Sequence, residues 1–574
     1  MKRLQGIAAS NGIAIGPAFL YRVELPDLPV ASDVDAAAEL ERFEQSVSAV
    51  RAHLDAIEER KRGQLHADNF EILEVQKELL ADEEYGGQIR NRIEHKGLNA
   101  EAAVHEVTEI VVAEFSALED EYFRQRAADV ADLGSRLLRN LMGIADVDLS
   151  GLSEPVVLMA HDLSPSDTIG LEADKVVAMC TEVGSATSHT AIVARSMGIP
   201  ALVGVGTIDV SDGATVILDG NEGLCIADPD ESTLQEYRSR KEHDEERREK
   251  LLRMADKPAR TPDGVHVHCV ANVGGLESAR SAAKRGADGI GLLRSEFLFL
   301  ERSTLPDEDE QYAAYTGIAD CLPGTHVVVR TLDVGGDKPV PAIRIPKEEN
   351  PFLGHRAIRL TLEQDSLFFP QIRALLRSAA DRDIQIMIPF VSTLSELREA
   401  REKILQIHES MKAEEIPVCD TPKIGIMVEI PSAAIMADVF AREADFFSIG
   451  TNDLCQYTMA ADRTNAKVAD RADFLDPAVL RLIKRSIDAA DTAGIPVAMC
   501  GEMAGSVIAT PLLLGMGLKE FSMSASQLPE VKDAIRQLNS SECRPLVEAC
   551  LDCDTASQVR GILQDFLESR LRRS

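Results

Sequence analysis

The chain is 574 residues long, 45% hydrophobic, with 61 Lys+Arg against 95 Asp+Glu and a formal net charge of −34. That length is more than one core can serve and predicts roughly four domains, or fewer if one is a large barrel. The charge argues against a polyanion-binding protein and for a basic protein partner, while the lack of a membrane-spanning apolar run or a secretory leader predicts a cytoplasmic protein with no membrane insertion.

Residues 1–22 hold short apolar runs broken by Gly and Pro, which suggest one or two strands that need partners from elsewhere. From about Asp35 to Met142 the apolar period changes to steps of three and four. Leu40, Phe43, Val47, Val50, Leu54 and Ile57 form one seam; Ile72, Val75 and Leu79 a second; Val104, Val107, Val111 and Phe115 a third; Val130, Leu133, Leu137 and Leu141 a fourth. With breaks near Gly63, Gly97 and Gly143, this predicts a helical bundle over 33–145. Glu71, Glu74, Glu78, Asp82, Glu83 and Glu84 line its second helix and suit a basic partner, although a solvated face explains them as well.

Strand-like runs return at Val156–Met159, Lys175–Met179, Ala201–Gly204 and Ala214–Leu218, the last followed by the turn signal Gly220-Asn-Glu-Gly223. Residues 1–22 and 146–229 thus form one α/β domain that the bundle interrupts. Within it, Thr181-Glu-Val-Gly-Ser-Ala-Thr-Ser-His189 places a histidine where a loop becomes a helix, with Thr187 or Ser188 to cap it. Unpaired N–H groups and the helix dipole favour a phosphate there, so the position suits a phosphohistidine; an ordinary polar residue near a helix cap fits the same pattern. Residues 230–258 are almost wholly charged and read as a solvated connecting helix.

From 259 to 574, eight β-like runs are each followed by a helical stretch: His266–Val273, Gly289–Leu293, His326–Leu332, Ile384–Pro389, Ile424–Glu429, Phe446–Ile449, Pro496–Met499 and Glu520–Met523. Eight such units predict a (β/α)8 barrel whose chemistry stands at the carboxyl ends of the strands. Arg294, Arg330, Glu429, Asn452, Asp453 and Cys500 all fall at such ends, and Arg463 follows soon after. Guanidinium groups match phosphate oxygens in pairs, and Glu429 with Asp453 supply hard oxygens for Mg2+. A ring of structural salt bridges would use the same residues. The 10 cysteines predict no disulfide framework, Cys550-Leu-Asp-Cys553 lacks the companion ligands of a metal site, and the alternation of a strand explains His266-Val-His268.

Gly289-Ile-Gly-Leu-Leu-Arg-Ser-Glu-Phe-Leu-Phe299, Arg330-Thr-Leu-Asp-Val-Gly-Gly-Asp-Lys-Pro339, Asn350-Pro-Phe-Leu-Gly-His-Arg-Ala-Ile-Arg359, Gly450-Thr-Asn-Asp-Leu-Cys-Gln-Tyr457 and Met499-Cys-Gly-Glu-Met-Ala-Gly505 resemble the phosphoenolpyruvate-utilising enzymes. The resemblance runs nearly end to end and is strongest to the phosphoenolpyruvate-protein phosphotransferase family, the Enzyme I proteins of the bacterial sugar phosphotransferase system. It implies a swivelling phosphohistidine domain with an inserted bundle that binds the carrier protein HPr, then a barrel that binds phosphoenolpyruvate and pairs into a homodimer. His189 would take the phosphoryl group and pass it to a histidine of HPr, releasing pyruvate. Arg294, Arg330 and Arg463 would hold phosphate and carboxylate, Asn452 and Asp453 would complete the substrate site, and Glu429 with Asp453 would hold Mg2+. Cys500 would give a proton to the enolate, and Thr168 would orient the His189 ring. The charged connector would be the hinge.

Four positions depart from the family pattern. Ser185 and Ala186 stand where a Gly-Gly is usual, His355 replaces a common aromatic, and Ala131 replaces a basic residue near the carrier-binding face. A pyruvate phosphate dikinase or phosphoenolpyruvate synthase shares the histidine domain and barrel but would need a large nucleotide-binding domain before the histidine. A nitrogen-regulatory relative would carry an added sensory domain. A non-catalytic regulator would have no use for His189, Glu429, Asp453 and Cys500 together.

Overall fold

A computed structural model describes residues 1–21, 31, 34–61, 75–117, 121–144, 149, 152, 154–164, 167–168, 171–172, 174–185, 188–300, 302, 304–336, 340, 342–343, 345–346, 348–463, 465 and 467–571. The chain divides into two units, Met1–Glu246 and Arg247–Ser574.

In the first unit β1 (Lys2–Gln5), β2 (Ile7–Ser10), β3 (Ile13–Tyr21), β4 (Val156–Ala160), β5 (Val176–Thr181), β6 (Ala201–Val203), β7 (Thr215–Asp219) and β8 (Leu224–Ala227) form one sheet in the order β1-β8-β7-β3-β4-β5-β6-β2. β3 is its seam, parallel to β4 on one side and antiparallel to β7 on the other. The first 21 residues therefore find their partners more than a hundred residues away. Three strands form there rather than one or two, because β1 and β2 are four-residue edge pieces with mostly exposed side chains, too short for a period to register. The predicted Gly220–Gly223 turn joins β7 to β8, with Asp219 Oδ1 accepting from the N–H groups of Asn221 at 3.0 Å and Glu222 at 3.1 Å.

The predicted apolar seams meet in a separate core. Helices Ala36–Lys61, Glu83–Lys96, Ala100–Ala117 and Glu121–Leu141 pack Phe43, Val50, Leu54, Val104, Val107, Val130, Leu133 and Leu137 together with Ile89 and Ile93. Gly63, Glu71, Ile72 and Glu74 lie outside the described residues. The acidic row does not share one helix: the chain breaks at Asp82, whose carboxylate accepts from Glu84 N–H at 2.6 Å and caps the helix Glu83–Lys96. Asp82, Glu83 and Glu84 thus serve a helix start, where negative charge is stabilising.

The connecting helix runs Glu231–Arg253. Its first third is not merely solvated. Tyr237 packs with Ile13, Ile217 and Ile226 on the sheet, Leu234 beside it, and Arg240 lies over the Tyr237 ring and pairs with Asp219 at 3.2 Å. Two apolar residues one turn apart were hidden among charges that set the average.

In the second unit all eight expected strands are present: β10 (His266–Val273), β11 (Ile290–Arg294), β12 (Val327–Arg330), β13 (Ile384–Ile388), β14 (Ile424–Val428), β15 (Phe447–Ile449), β16 (Val497–Met499) and β17 (Glu520–Met523). Parallel pairing runs from β11 through β17 to β10, and β10 pairs with β11, closing the barrel; the short β9 (Ala259–Arg260) adds antiparallel to β10. Residues facing the helices, such as Val267, Ile290, Ile386, Ile426 and Ile449, join the main core. Inside the barrel, Leu292, Val328, Met387, Met427, Phe446 and Cys500 form a plug. No helix among the described residues is long and apolar enough to cross a membrane.

At the amino-terminal ends of the strands, His326 Nε2 lies 3.3 Å from Glu520 Oε1. Burial alone would lower the His326 pKa, but the Glu520 hydrogen bond and charge, with Asp383 behind them, outweigh it and hold the imidazole raised. A raised folded value means that this pair stabilises fully below the ordinary histidine pKa of about 6.5 and is lost as pH rises through the folded value. His326→Gln should therefore flatten the fall in barrel stability above about pH 6.5 and cost most below it, as read by thermal melts across that range.

Candidate active site

Local sequence explains how the rim is built. β11 ends in Arg294 and leads into the 3-10 turn Ser295–Leu298 that carries Glu296. β12 ends in Arg330, in register with Arg294 on the neighbouring strand, and Asp333 follows. Glu429 comes directly after β14, Asn452 and Asp453 head the helix Thr451–Met459 after β15, and Cys500 follows β16. Gly501 permits that last approach, since a Cβ there would stand 1.8 Å from Thr451 Oγ1. Gly335 does the same beside Arg356, with φ +103° and a Cβ position 2.6 Å from the Arg356 Cβ.

Glu296, Asp333, Glu429, Asp453, Arg330 and Arg356 are all buried. Arg330 pairs with Glu296 and, at 3.1 Å, with Asp333. Arg356 reaches Asp333 at 2.9 Å, Asp453 at 3.4 Å and the Tyr457 hydroxyl at 3.1 Å. Arg463 holds the other Asp453 oxygen at 2.8 Å. Burial would lower both Arg330 and Arg356, but the facing carboxylates hold both pKa values raised. Arg294 is exposed and has no ion-pair partner among the described residues, so its guanidinium stands open to an anion.

Glu429 is pushed up to about 8, first by burial and then by the charges of Asp453 and Asp333, against the pull of Arg330 and Arg356. One of its oxygens accepts from Phe390 N–H at 2.6 Å. A crowd of carboxylates that raises one member this far carries negative charge a divalent cation would relieve, so Glu429 and Asp453 fit Mg2+. No group of three or more His, Cys, Asp or Glu among the described residues is arranged to hold a metal. The ion's remaining oxygens would come from substrate and water, which suits Mg2+.

Asn452 is fixed by a reciprocal pair, accepting from Glu502 N–H at 2.9 Å and donating to Glu502 Oε1 at 3.2 Å. Cys500 sits in the interior plug. Burial pushes its thiol up to about 11, against the nearby Ser448 hydroxyl, so it keeps its proton at neutral pH.

His189 lies in the other unit as the first residue of the helix His189–Met197; its side chain, Ala186 and Thr187 lie outside the described residues. Ser188 takes the N-cap position, yet its hydroxyl makes no capping bond and is buried without a hydrogen-bond partner. Among the described residues no side chain caps the first turn, which suits an anion site. Thr168 is buried in the same domain. Ser185 replaces a usual glycine at no left-handed strain, since its φ is not positive, and its carbonyl accepts from Ser188 N–H at 3.0 Å.

Sequence reasoning gave no role to Arg356, Glu296, Asp333 or Tyr457. Arg356 lies in a loop motif rather than at a strand end, and Tyr457 is a turn beyond Asp453, so position along the strands did not flag them. Phe390 was also missed. Its ring lies under Arg356 at 4.6 Å and Arg359 at 4.8 Å, and its backbone has φ +59°. Ala357 and Ala460, also at positive φ, flank the same loops, so backbone strain gathers around this rim.

Family models of phosphoenolpyruvate-utilising enzymes match three segments: the PEP-binding domain over residues 248–540, the N-terminal region over 5–126 and the mobile domain over 152–223. A phosphoenolpyruvate-protein phosphotransferase of Bacillus sp. (strain S) is 44% identical over 562 residues, covering 97% of each chain. That of Geobacillus stearothermophilus is 43% identical over 97% of each chain. That of Bacillus subtilis (strain 168) is 41% identical over 98% of this chain and 100% of its own.

Removing Arg356 strands Asp333 and Asp453 without one of their cations. Arg356→Ala should cost about 3–5 kcal/mol in denaturant unfolding followed by far-UV circular dichroism. Arg356→Lys should recover only part, because an ammonium cannot serve Asp333, Asp453 and Tyr457 from one plane while lying over Phe390.

Proposed function

The chain belongs to the phosphoenolpyruvate-protein phosphotransferase family of phosphoenolpyruvate-utilising enzymes, and from that premise we propose that His189 is its phosphoryl carrier and HPr its acceptor. It is an enzyme of phosphoenolpyruvate-dependent phosphoryl transfer. The observation that best supports the detailed reading is the gathering of three arginines, the carboxylates of Glu429 and Asp453 and a protonated thiol at one end of the barrel.

In this reading Arg294, open to solvent, meets the incoming phosphate first, and Arg330 and Arg463 draw phosphate and carboxylate into the site while staying anchored to Asp333 and Asp453. Asn452, held by Glu502, orients the carboxylate. Glu429 and Asp453 would hold Mg2+, which when bound neutralises charge on the phosphoryl oxygens. The neutral His189 imidazole attacks phosphorus, the P–O bond to the enol breaks, and its electron pair leaves on the enolate oxygen. Cys500 then gives its proton to the enolate carbon, and pyruvate results. A thiol kept protonated by burial has the proton ready at neutral pH, and positioned acids of this kind contribute about 10²–10⁴-fold.

The phosphohistidine next passes its group to a histidine of HPr, for which the helical bundle is the proposed docking surface. Exposed Glu78 fits a basic patch on that carrier, whereas Asp82, Glu83 and Glu84 are already explained by the helix they start. Thr168 would orient the His189 ring. Pairing of two barrels into a homodimer and a cytoplasmic location complete the reading.

Incubation with labelled phosphoenolpyruvate and Mg2+, without nucleotide, should give an acid-labile, base-stable phosphoprotein. His189→Ala should abolish the label and a chelator should prevent it. Label that persists in His189→Ala would remove the relay. Cys500→Ala should lower pyruvate release by about 10²–10⁴-fold, as read in a coupled pyruvate assay; an unchanged rate would take the proton-donor role from Cys500.

A further inference from the structure

The opposite mouth of the barrel is open. At the amino-terminal ends of the strands lies a cavity of about 360 Å3, within the range of small-ligand sites. Val328 and Phe446 line its apolar wall, and Gly291 and Ala498 leave it room. His326 and Glu520, at its side, satisfy each other. Asp491 and Lys519 do not: both are exposed, both line the cavity, and neither forms an ion pair among the described residues. Ser448 also lines it; it is buried, with its hydroxyl against the Cys500 sulfur.

One anion and one cation at a rim, an apolar wall and a buried hydroxyl form the negative image of a small molecule that carries both charges. We propose that this mouth binds a free α-amino acid, its carboxylate on Lys519 and its ammonium on Asp491, with the side chain against Val328 and Phe446. A polar tip on that side chain would meet Ser448. A simple anion would leave Asp491 facing it, and a simple amine would leave Lys519 so placed; only a zwitterion answers both. Val328 and Phe446 also belong to the plug that contains Met427 and Cys500. An occupant would therefore press on the floor beneath the catalytic rim.

The charged contacts, Asp491 and Lys519, are not among the residues proposed for phosphoryl transfer, and the test reads binding alone. Isothermal titration of the full chain with each of the common L-amino acids, and with propionate and propylamine as half-ligands, reads it directly. At least one amino acid should bind with one-to-one stoichiometry. Asp491→Ala and Lys519→Ala should each weaken it about tenfold or more, and the half-ligands should bind weaker by a similar factor. Both side chains are exposed, so the fold should persist, and Asp491→Asn with Lys519→Gln provide a second pair. The proposal is overturned if no amino acid gives heat at about 10 mM, where a Kd of about 1 mM would be plain. It also falls if either variant binds as the parent does, or if propionate binds as tightly as the amino acid.

Discussion

Charges taken out of water must be matched, and that constraint governs the second half of this protein. Glu296, Asp333, Glu429 and Asp453 stand buried together at one end of a barrel, and none could remain so without Arg330, Arg356 and Arg463 among them. The matching is incomplete at one point. Glu429 is pushed up to about 8 because its nearest charged company is as much acidic as basic. A site balanced in this way has a use for a further cation and, at Arg294, for a further anion, as the proposed metal-assisted reaction on a phosphorylated acid would require.

The surrounding structure keeps that balance rigid. Arg356 is held by two carboxylates, a tyrosine hydroxyl and an aromatic face. Tyr457 in turn donates to the Phe352 carbonyl at 2.7 Å, so the loop that brings Arg356 in is tied to the helix that carries Asp453. Phe390 spends an unfavourable backbone conformation to aim its N–H at Glu429. None of these residues need touch a substrate; they fix the groups proposed to do so.

Much of this was legible because short-range pattern and chemistry agree. The eight barrel strands were read from apolar runs within a residue or two of their observed ends, since a parallel strand covered on both faces leaves a continuous signature. The bundle seams at Phe43, Val50, Leu54, Val104, Leu133 and Leu137 were read from the period of a helix with one buried face. What failed were cases in which neighbours in sequence say little: β1 and β2, whose partners lie about two hundred residues away, and Leu234 with Tyr237, two anchors within a charged helix. The acidic row over the second bundle helix failed for another reason, since Asp82 was counted as surface charge when its backbone breaks the helix.

The sequence by itself determined the architecture and placed the charged residues proposed for the chemistry at strand ends, because periodicity fixes which face is buried and barrel geometry fixes where strands point. It also carried the family, through motifs long enough to be distinctive. Only the tertiary structure decided which charges neutralise which. Arg356 and Asp333 are 23 residues apart and Arg356 and Asp453 are 97 apart, and no local pattern reports a contact that exists only once the barrel closes. The same closure left Asp491 and Lys519 facing one cavity at the far mouth, since the ends of separate strands and helices become neighbours only around a ring.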